Sequence, residues 1–295
     1  MIWLVGNQGL LGSVVEGLLR ARGAPYLASD RELDITRADA VDGFLASRGR
    51  HAPVWIVNCS GYTAVDGAED EPDRAFAVNE AGVRNLATAA RRIGAAMLHL
   101  STDYIFDGTR EGAYTEGDPP NPVSVYGKSK LAGERALRDL LERHLIVRTA
   151  WLYGQRGKSF VTTMLRLFRE RDRVTVVDDQ LGSPTYAPDL ARAILAMVDS
   201  RPTPYGTYHF TNEGRTSWYG FAVEIYRSAV ERGIARPGVD IVPVASAGYP
   251  TRARRPRNSL LSKEKIRTTF GIAARDWRDA LRSFFDEGAG QPCGA

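Results

Sequence analysis

The amino-terminal stretch Ile2-Trp-Leu-Val5-Gly6-Asn-Gln-Gly9-Leu-Leu-Gly12 decides the fold of this 295-residue chain. An apolar run that suits a buried strand is followed by three evenly spaced glycines, and a helical pattern then continues to Arg22. Gly6 allows a tight turn, Gly9 lets a pyrophosphate approach the backbone, and Gly12 lets the helix pack close to the strand. The spacing differs from the commoner Gly-x-Gly-x2-Gly, and by itself it also fits a plain turn. In this context it predicts a dinucleotide site at the helix N-terminus.

The second strand of the pattern, residues 26–28, leads to residues that bear on the choice of cofactor. In such folds an acid after this strand binds a ribose 2′-hydroxyl and favours NAD, whereas an arginine accommodates a 2′-phosphate and favours NADP. Asp30 and Arg31 are adjacent, so the sequence leaves NADPH and NADH open. Asp34-Ile35 lies where an adenine would rest, although Asp34-Ile-Thr36 also fits a simple cap of the next helix. The candidate cofactor residues of this half are Gly6, Gln8, Gly9, Leu10, Leu11, Asp30, Arg31, Asp34 and Ile35.

Composition and charge place the chain among ordinary soluble proteins. It is 43% hydrophobic and 25% charged, and its net charge of +4 is too mild to indicate a nucleic-acid polymer as partner, while it suits an anionic small molecule. Cys59 in an apolar run and Cys293 in the tail give no disulfide framework. The amino terminus enters a strand directly, without a basic leader or a membrane span. We therefore expect a cytoplasmic protein with no membrane partner.

Strands and helices alternate along most of the chain, which predicts an α/β fold. We expect a Rossmann-type doubly wound parallel sheet with a smaller C-terminal α/β substrate lobe. The expected divisions are a dinucleotide-binding core over 1–150, a mixed region returning to the core sheet over 151–212, and a substrate-binding lobe over 213–295. The predicted later strands are 54–59, 96–100, 145–148, 174–177, 207–210 and 241–244, and the predicted later helices are 75–93, 160–171, 189–198, 218–230 and 277–285.

Small and polar residues follow two of the predicted strands. Ser60-Gly61-Tyr62-Thr63 ends the strand at 54–59, and Ser101-Thr102-Asp103 ends the strand at 96–100. Ligands of open parallel sheets bind outside the carboxyl ends of the strands. The first stretch is therefore a candidate to face the cofactor, and the second is placed to hydrogen-bond a substrate carbonyl. A polar loop start explains the second stretch equally well.

A tyrosine and a lysine lie four residues apart in the stretch Asn121-Pro-Val-Ser-Val-Tyr126-Gly-Lys-Ser-Lys130. In a helix such a pair shares one face, about 6 Å apart along the axis. Tyrosine has an ordinary pKa of about 10, and a neighbouring ammonium would lower that pKa toward the range that proton transfer needs. A dinucleotide site before the pair and a polar strand end beside it turn a weak match into a predicted catalytic pair.

Two charged stretches and the histidines complete the candidate sites. The arginine segment, residues 252–257, carries four arginines in six positions, and it fits a solvated surface, a nucleic-acid patch or a diphosphate site. The prolines in and just before it, Pro256 and Pro250, and its single occurrence argue against nucleic acid, and guanidinium groups suit phosphate, so we interpret it as a diphosphate site. The acidic run 66–73 is interpreted as decorating a helix start, with no catalytic role. The histidines, His51, His99, His144 and His209, lack ligand spacing, and no zinc site is predicted.

With these pieces in order, the chain resembles the extended short-chain dehydrogenase/reductases, and more narrowly the dTDP-4-dehydrorhamnose reductase family. The likeness runs nearly end to end. It is carried by Gly6-x2-Gly9-x2-Gly12, Thr63-Ala-Val-Asp66-x2-Ala-Glu69-x-Glu71-Pro72, Ser101-Thr-Asp-Tyr-Ile-Phe106, Tyr126-Gly-x-Ser-Lys-Leu-Ala-Gly-Glu134, Arg148-Thr-x-Trp-x-Tyr153, Asp179-Gln-x-Gly-x-Pro-Thr185 and Arg254-Arg-Pro-x-Asn-Ser259.

The resemblance implies reduction of the C4 keto group of a dTDP-linked 4-keto-6-deoxy sugar, usually with NADPH and often also with NADH. It implies that Tyr126 donates the proton to the C4 oxygen and that Thr102 hydrogen-bonds the same oxygen. Lys130 would hold the nicotinamide ribose and lower the pKa of the tyrosine. The remaining implied contacts are Gly61 and Tyr62 at the cofactor, and Thr63, Asp103, Trp151, Arg255 and Asn258 at the substrate.

One departure from the family concerns a metal. Some members bind Mg²⁺ at a dimer interface through glutamates on the first, a middle and the last helix. The matching regions here read Ser13-Val-Val-Glu16 and Ala187-Pro-Asp189, and only Glu287 looks preserved. We therefore predict neither the metal nor that mode of dimerisation, and expect a monomer or weak homodimer.

Two other functions remain open from the sequence. A nucleotide-sugar dehydratase or epimerase would share the fold, but such dehydratases usually place a glutamate directly after the Thr-Asp pair, where this chain has Tyr104. A non-catalytic regulatory subunit, like that of methionine adenosyltransferase, would keep the nucleotide site without turnover. Intact Thr102, Tyr126 and Lys130 favour an enzyme.

Overall fold

The central sheet is parallel and its strands follow the predicted order along the chain. A computed structural model describes residues 1–48 and 52–288, so the predictions for His51 and Cys293 lie outside the described residues. Its strands are β1 Ile2–Val5, β2 Tyr26–Ser29, β3 Trp55–Asn58, β4 Ala96–Thr102, β5 His144–Thr149, β6 Leu152–Tyr153, β7 Arg173–Val177, β8 Leu181–Gly182, β9 Thr185–Tyr186, β10 Gly206–His209, β11 Thr216–Ser217 and β12 Asp240–Val244.

The helices alternate with these strands through the first two hundred or so residues. They are α1 Leu10–Ala21, α2 Ala38–Ala46, α3 Val65–Asp70, α4 Pro72–Phe76, α5 Gly82–Ile93, α6 Val125–Leu140, α7 Phe160–Glu170, α8 Ala187–Asp199, α9 Trp218–Glu231, α10 Glu264–Phe270 and α11 Trp277–Asp286. A π-helical turn covers Ala77–Ala81, and single 3₁₀ turns cover Asp103–Ile105 and Ser246–Gly248.

Six strands form the main sheet in the order β2-β1-β3-β4-β5-β10, and every neighbouring pair is parallel. β1 and β3 are neighbours although β2 lies between them in sequence, so the chain reverses its direction of travel across the sheet there. Ligands of open α/β sheets bind at the carboxyl ends of strands at such a switch point. The predicted Rossmann-type α/β class is confirmed.

Helices cover both faces of the main sheet. One apolar cluster joins α1 and α8 to the sheet through residues such as Leu11, Val15 and Ile194. A second cluster on the opposite face joins α2, α5 and α6 through residues such as Val41, Leu86 and Leu137. Because β1, β3 and β4 are buried on both faces, their side chains are nearly all apolar until the carboxyl ends, where polar residues begin.

A further apolar cluster lies outside the sheet and includes Phe168, Tyr186, Phe221 and Trp277. The cluster contains residues of α7, β7, α9 and α11. Strand β7 also pairs with β12. In turn, α10 carries Ile266 into the core of the main sheet. The chain thus crosses between the two clusters more than once, and the boundaries at 150 and 212 stay a prediction.

The structure corrects one long element. The sequence predicts a single helix over 75–93, but the chain forms α4, the π-helical turn and α5 in succession. The turn includes Asn79, whose buried side chain bonds backbone and side-chain groups near Lys130. A π-helical turn inserts an extra residue and often lies at a functional site. Across residues 1–48 and 52–288, every helix is too short or too polar to traverse a bilayer.

Candidate active site

The glycine turn between β1 and α1 is tightly packed. Gly6 has φ +82°, in the left-handed region, and a methyl group there would lie 2.7 Å from the backbone nitrogen of Ser60. A methyl group at Gly12 would lie 1.9 Å from the carbonyl oxygen of Gly6. The turn therefore lies close against both the helix start and the end of β3. This geometry fits a dinucleotide whose pyrophosphate contacts the backbone at the α1 N-terminus.

Replacing Gly12 by alanine is expected to separate α1 from the turn. We expect the affinity for NADPH to fall tenfold or more, with a loss of about 1–3 kcal/mol in stability, because the new methyl group cannot fit against backbone atoms. Fluorescence titration and thermal unfolding measure the two effects. Gly17→Ala is the matched control, since no atom lies within 4 Å of its methyl group on the same helix. Equal NADPH affinity in the two variants would contradict the close-packing argument.

Of the other turn residues, Gln8 is exposed, Leu10 is half-buried, and the Leu11 side chain is in the core. Leu11 can therefore reach a cofactor only through its backbone. Asp30 accepts hydrogen bonds from the Gln8 and Arg31 backbone N–H groups at 2.8 and 2.9 Å. The Asp30 carboxylate thus stabilises the glycine turn between β1 and α1.

The side chains at the proposed ribose and adenine positions differ in exposure. Arg31 is exposed, and among the described residues its guanidinium has no ion-pair or hydrogen-bond partner. Asp34 is exposed and accepts hydrogen bonds from Thr36, while Ile35 is buried. The N-cap of α2 is Arg37, and no described side chain caps that helix, so the helix-cap alternative is wrong. The Asn85 side chain donates to the Ile35 carbonyl at 2.9 Å.

The end of β3 is fixed by a residue that the sequence did not reveal. The side-chain oxygen of Asn79 accepts from the Tyr62 N–H at 2.9 Å, and its amide nitrogen donates to the Tyr62 carbonyl and to Ser129. Gly61 lies against the same side chain, and a methyl group there would be 3.7 Å from Lys130 Nζ. The structure thus brings Gly61 close to Lys130, whereas Thr63, two residues later, is exposed.

The end of β4 carries the predicted polar residues into a buried position. Thr102 and Asp103 are 5% and 3% exposed. The Thr102 hydroxyl accepts the Tyr104 N–H at 3.2 Å and donates to Asp103 Oδ1 at 3.1 Å. Asp103 Oδ2 has no partner among the described residues, and burial raises the pKa of Asp103 to about 6 although Thr102 donates to its other oxygen. A buried, unpaired carboxylate oxygen is an acceptor that a ligand hydroxyl can satisfy.

Helix α6 brings the predicted catalytic pair to the same place. Ser124 caps it by accepting the Gly127 N–H at 3.1 Å, so the first turn carries Tyr126 and the next carries Lys130. Both side chains are buried, and the Tyr126 ring lies edge-on to the Tyr104 ring at 5.5 Å. The Lys130 ammonium or amine donates to the Leu100 carbonyl at 2.5 Å and lies 3.4 Å from His99 Nε2.

The electrostatics of this pair differ from the prediction. Burial raises the pKa of Tyr126 well above its ordinary value, and hydrogen bonding to Thr102 only partly opposes this. Lys130 does not lower the pKa of Tyr126, because its Nζ is directed at Leu100 and His99 on β4. Burial also lowers the pKa of Lys130 to about 8. Tyr126 is therefore a protonated acid at neutral pH, the form that can donate a proton to a carbonyl oxygen.

A buried ion pair underlies the end of β4. The carboxylate of Glu134 on α6 receives both Nε and Nη2 of Arg148 on β5, at 2.9 and 2.8 Å, and the Ser101 hydroxyl at 2.5 Å. Glu134 and Arg148 are 0% and 2% exposed. Burial opposes ionisation of Glu134, but Arg148, Arg138 and Ser101 together leave its pKa below the ordinary value. Both residues belong to motifs quoted above, yet only the structure reveals their pairing.

Trp151 follows β5 in an unusual conformation. Its φ of 49° lies in the left-handed region, which costs energy for a bulky residue and occurs at functional sites. Its indole stacks on Trp218 with ring centres 3.6 Å apart, and a methyl group on Gly182 would lie 2.5 Å from it. Trp218 on α9 and Gly182 on β8 thus fix the orientation of the half-buried Trp151 ring.

The arginine segment and the acidic run contact one another. Arg255 donates to Asp66 at 2.6 Å and to the Tyr104 hydroxyl at 3.0 Å, and Arg252 pairs with Asp70. The acidic run lies on α3 and α4, so besides decorating helix starts it binds the segment that was assigned to diphosphate. Asn258 lies elsewhere, since its buried amide donates to the carbonyls of Arg110 and Gly112. The structure therefore brings Arg255 to the site and places Asn258 in support of the loop after β4.

Three carboxylates lie in the regions that match the Mg²⁺-binding glutamates of the family. Each of them accepts at least one hydrogen bond from another group of the protein. Glu16 accepts from Asn7, Arg20 and Tyr26, and Glu287 accepts from Tyr186. Asp189 accepts from Arg192, Arg275 and Asn212. Within residues 1–48 and 52–288, no three His, Cys, Asp or Glu side chains gather as metal ligands would. This donor set does not fit a metal within one chain.

Comparisons with known proteins extend over the whole fold. The family model described as the RmlD substrate binding domain matches residues 1–289. The dTDP-4-dehydrorhamnose reductase of Aggregatibacter actinomycetemcomitans is 43% identical over 286 residues, covering 95% of this chain and 96% of that protein. The crystal structure of a dTDP-4-dehydrorhamnose reductase from Clostridium acetobutylicum has a TM-score of 0.90 and 40% identity, over 97% of this chain and 98% of that one.

A structure with a ligand bears on the cofactor. The dTDP-4-dehydrorhamnose reductase from Bacillus anthracis in complex with NADP has a TM-score of 0.89 and 36% identity, over 97% of this chain and 98% of that one. Family model, sequence relatives and solved structures agree across nearly the full length. The chain therefore belongs to the dTDP-4-dehydrorhamnose reductase family.

Proposed function

We propose that the protein reduces the C4 keto group of a dTDP-4-keto-6-deoxy sugar with NADPH, and most specifically converts dTDP-4-dehydro-L-rhamnose to dTDP-L-rhamnose. The observation that carries this proposal is the meeting of Thr102 and Tyr126 at the end of β4, with Lys130 behind them and the glycine turn at the neighbouring strand end. The activity of the sequence relatives and the NADP bound to the Bacillus anthracis protein support it.

The residues that would hold the cofactor follow the sheet edge. The turn from Gly6 to Leu11 would bind the pyrophosphate through its backbone, and Asp34-Ile35 would border the adenine. Gly61, Tyr62 and Lys130 would border the nicotinamide ribose. When bound, the reduced nicotinamide supplies the hydride.

The protein itself supplies the proton and the orientation of the keto group. Tyr126 is protonated at neutral pH and donates its proton to the C4 oxygen as negative charge develops there. The Thr102 hydroxyl, which can rotate away from Asp103, hydrogen-bonds the same oxygen. Asp103 Oδ2 is left as an acceptor for a sugar hydroxyl, and the Trp151 indole gives the ring an apolar face.

Arg255 is the side chain we assign to the diphosphate. Its guanidinium already spans Asp66 and Tyr104 beside the catalytic helix, and a diphosphate would compete with Asp66 for the same donors. Thr63 is exposed at the mouth of the site, and Asn258 would act by holding the loop after β4. We further propose a monomer or weak homodimer located in the cytoplasm, with no bound Mg²⁺.

The preference for NADPH over NADH is expected to depend on Arg31. Because this guanidinium has no protein partner among the described residues, it can bind the 2′-phosphate that NADH lacks. We expect Arg31→Ala to raise the KM for NADPH by about 10–100-fold and to change the KM for NADH little, as loss of a charge-assisted hydrogen bond implies. Steady-state kinetics with both cofactors measure this. Arg22→Ala, which removes an exposed pair with Asp199, is the control. Equal changes with both cofactors would refute the assignment of Arg31.

The proposed activity is tested with a panel of dTDP-4-keto sugars and both cofactors. Oxidation of NADPH with formation of dTDP-L-rhamnose supports it. A product other than dTDP-L-rhamnose would assign another reductase specificity. Tightly retained NAD⁺ with no net cofactor consumption would instead indicate an epimerase or dehydratase. A stoichiometric protein partner without turnover on any member of the panel would indicate a regulatory subunit.

A further inference from the structure

A buried chain of hydrogen-bonding side chains leads from the turn after β3 to Lys130. Asn58 and His99 are register partners on β3 and β4, and both are fully buried. Asn58 Nδ2 lies 3.1 Å from His99 Nδ1, and His99 Nε2 lies 3.4 Å from Lys130 Nζ. Neither Asn58 nor His99 has a role in the function proposed above.

The direction of the Asn58 amide is set by Ser60. Asn58 Oδ1 accepts from the Ser60 backbone N–H at 3.0 Å and from its hydroxyl at 2.6 Å. A backbone N–H can only donate, so the opposite amide orientation would set two donors against each other. The Asn58 NH₂ group must therefore face His99.

The direction of Asn58 determines the tautomer of His99. An amide NH₂ can only donate, so His99 Nδ1 must be the acceptor. Burial lowers the pKa of His99 well below its ordinary value, so the ring is neutral and has one N–H. That hydrogen is on Nε2, and it points at Lys130 Nζ. An ammonium has no lone pair with which to accept it, whereas a neutral amine has one.

We propose that Asn58 and His99 are positioning residues that favour the neutral amine of Lys130 over its ammonium, because only the amine can accept the Nε2–H of His99 while it donates to the Leu100 carbonyl. The ammonium is therefore disfavoured by this chain of side chains, whereas the charge of an anionic dinucleotide beside Lys130 would favour it. If the Asn58 amide flipped, the Lys130 ammonium would be favoured, but the hydrogen bond that the Ser60 N–H donates to Asn58 would be lost. Ser60 packs directly against the glycine turn, so the cofactor turn and the charge of Lys130 are linked through this chain.

The surroundings of Lys130 shift its pKa in opposite directions. Burial lowers the pKa of Lys130 to about 8, whereas the charge of Glu134, one turn later on α6, raises it. Burial in turn raises the pKa of the Cys59 thiol to about 12, so that thiol is neutral. Tyr126, one turn earlier on α6, is protonated as well. His99 on β4 is thus the group whose hydrogen-bond direction separates the amine from the ammonium.

The inference rests on the proposed function only for the importance of Lys130, and its test needs no turnover. In protein labelled with ¹⁵N at histidine and lysine, long-range ¹H–¹⁵N spectra report each tautomer and the charge of each Nζ. We expect His99 in the Nε2–H form and the Lys130 Nζ losing its proton near pH 8. His99→Gln and Lys130→Met assign the two signals. An Nδ1–H tautomer for wild-type His99, or a Lys130 ammonium that persists up to the ordinary lysine pKa of about 10.4, overturns the proposal.

Asn58→Asp reverses the direction of the hydrogen bonds that lead from residue 58 through His99 to Lys130, with little change in side-chain shape. Its carboxylate accepts from Ser60 and from a His99 Nδ1–H, which leaves Nε2 to accept from a Lys130 ammonium. We expect the His99 tautomer to switch and the Lys130 midpoint to rise by about one pH unit or more. The added charge alone is measured in Asn58→Asp/His99→Phe, which should give a smaller rise, and His144→Gln should give none. An equal rise in the single and double variants, or no tautomer switch in a folded Asn58→Asp protein, overturns the proposal. A protein inactive on every keto sugar refutes the proposed function instead and leaves these spectra interpretable.

Discussion

Replacing Tyr126 by phenylalanine is expected to lower kcat about 10²–10⁴-fold, the usual contribution of a positioned general acid. The phenol is buried beside Thr102, and its raised pKa keeps it protonated until the carbonyl oxygen becomes basic. Phenylalanine keeps the ring and its edge-on contact with Tyr104, so the packing of α6 is preserved. The loss should therefore appear in kcat, with NADPH affinity little changed.

Stopped-flow or steady-state NADPH consumption with dTDP-4-dehydro-L-rhamnose measures the effect on kcat, and fluorescence titration measures NADPH binding. Tyr205→Phe is the matched control, because it removes another phenol, which accepts a hydrogen bond from Arg143 at the edge of the fold. If Tyr126→Phe kept the wild-type kcat, Tyr126 would not be the general acid. A loss of NADPH binding in parallel with kcat would mean that the residue holds the cofactor instead.

Glu134→Ala is expected to be the most destabilising single change considered. It leaves Arg148 buried and unpaired, and breaking a buried ion pair by removing one partner typically costs about 3–5 kcal/mol. It also removes the acceptor of Ser101, the residue before Thr102, so activity should fall even where the protein is folded. Chemical denaturation monitored by circular dichroism gives the free energy of unfolding.

Two controls separate the ion pair from its surroundings. The exposed Glu142→Gln should change stability by less than about 0.5 kcal/mol. The double change Glu134→Met/Arg148→Met should cost less than the sum of the single changes, because no buried charge is left unpaired. Additive costs in the double variant would show that the two side chains do not act as a pair.

The pH dependence of this pair has a definite sign. The pKa of Glu134 lies below its ordinary value of 4.5 in the folded protein, so the unfolded chain binds its proton more readily. The stability from Glu134 is fully present above that ordinary value and is lost as pH falls through the folded pKa. Acid denaturation of Glu134→Gln should therefore be less steep than that of the wild type.

The sequence predicts most of the fold because its signals are local. The apolar runs of β1, β3 and β4 stop where polar residues begin, and Ser124 marks the start of α6. The prediction fails where tertiary contacts override local pattern. The helix over 75–93 contains a π-helical turn at Ala77–Ala81, where Asn79 bonds Tyr62 and Ser129, and α10 is too short for its periodicity to be recognised.

The candidate site, too, contains residues that the sequence reveals and residues that only the structure reveals. Motif positions such as Thr102, Tyr126 and Lys130 are recognisable in one dimension, and the structure brings them together. The spacing of Tyr126 and Lys130 predicts a lowered pKa for Tyr126, whereas burial raises that pKa and the Lys130 side chain is directed at the Leu100 carbonyl. Asn58, Asn79 and His99 give no sequence signal, because their roles depend on partners from 2 to 50 residues away.

Transfer of deuterium from the cofactor tests the central claim most directly. NADPH deuterated at C4 of the nicotinamide, prepared separately as each diastereomer, would be incubated with the protein and dTDP-4-dehydro-L-rhamnose, and the product examined by NMR. The proposed reduction predicts that one diastereomer places deuterium on C4 of the sugar in dTDP-L-rhamnose. No reduced sugar, or a product whose C4 stays unlabelled with both diastereomers, would contradict it.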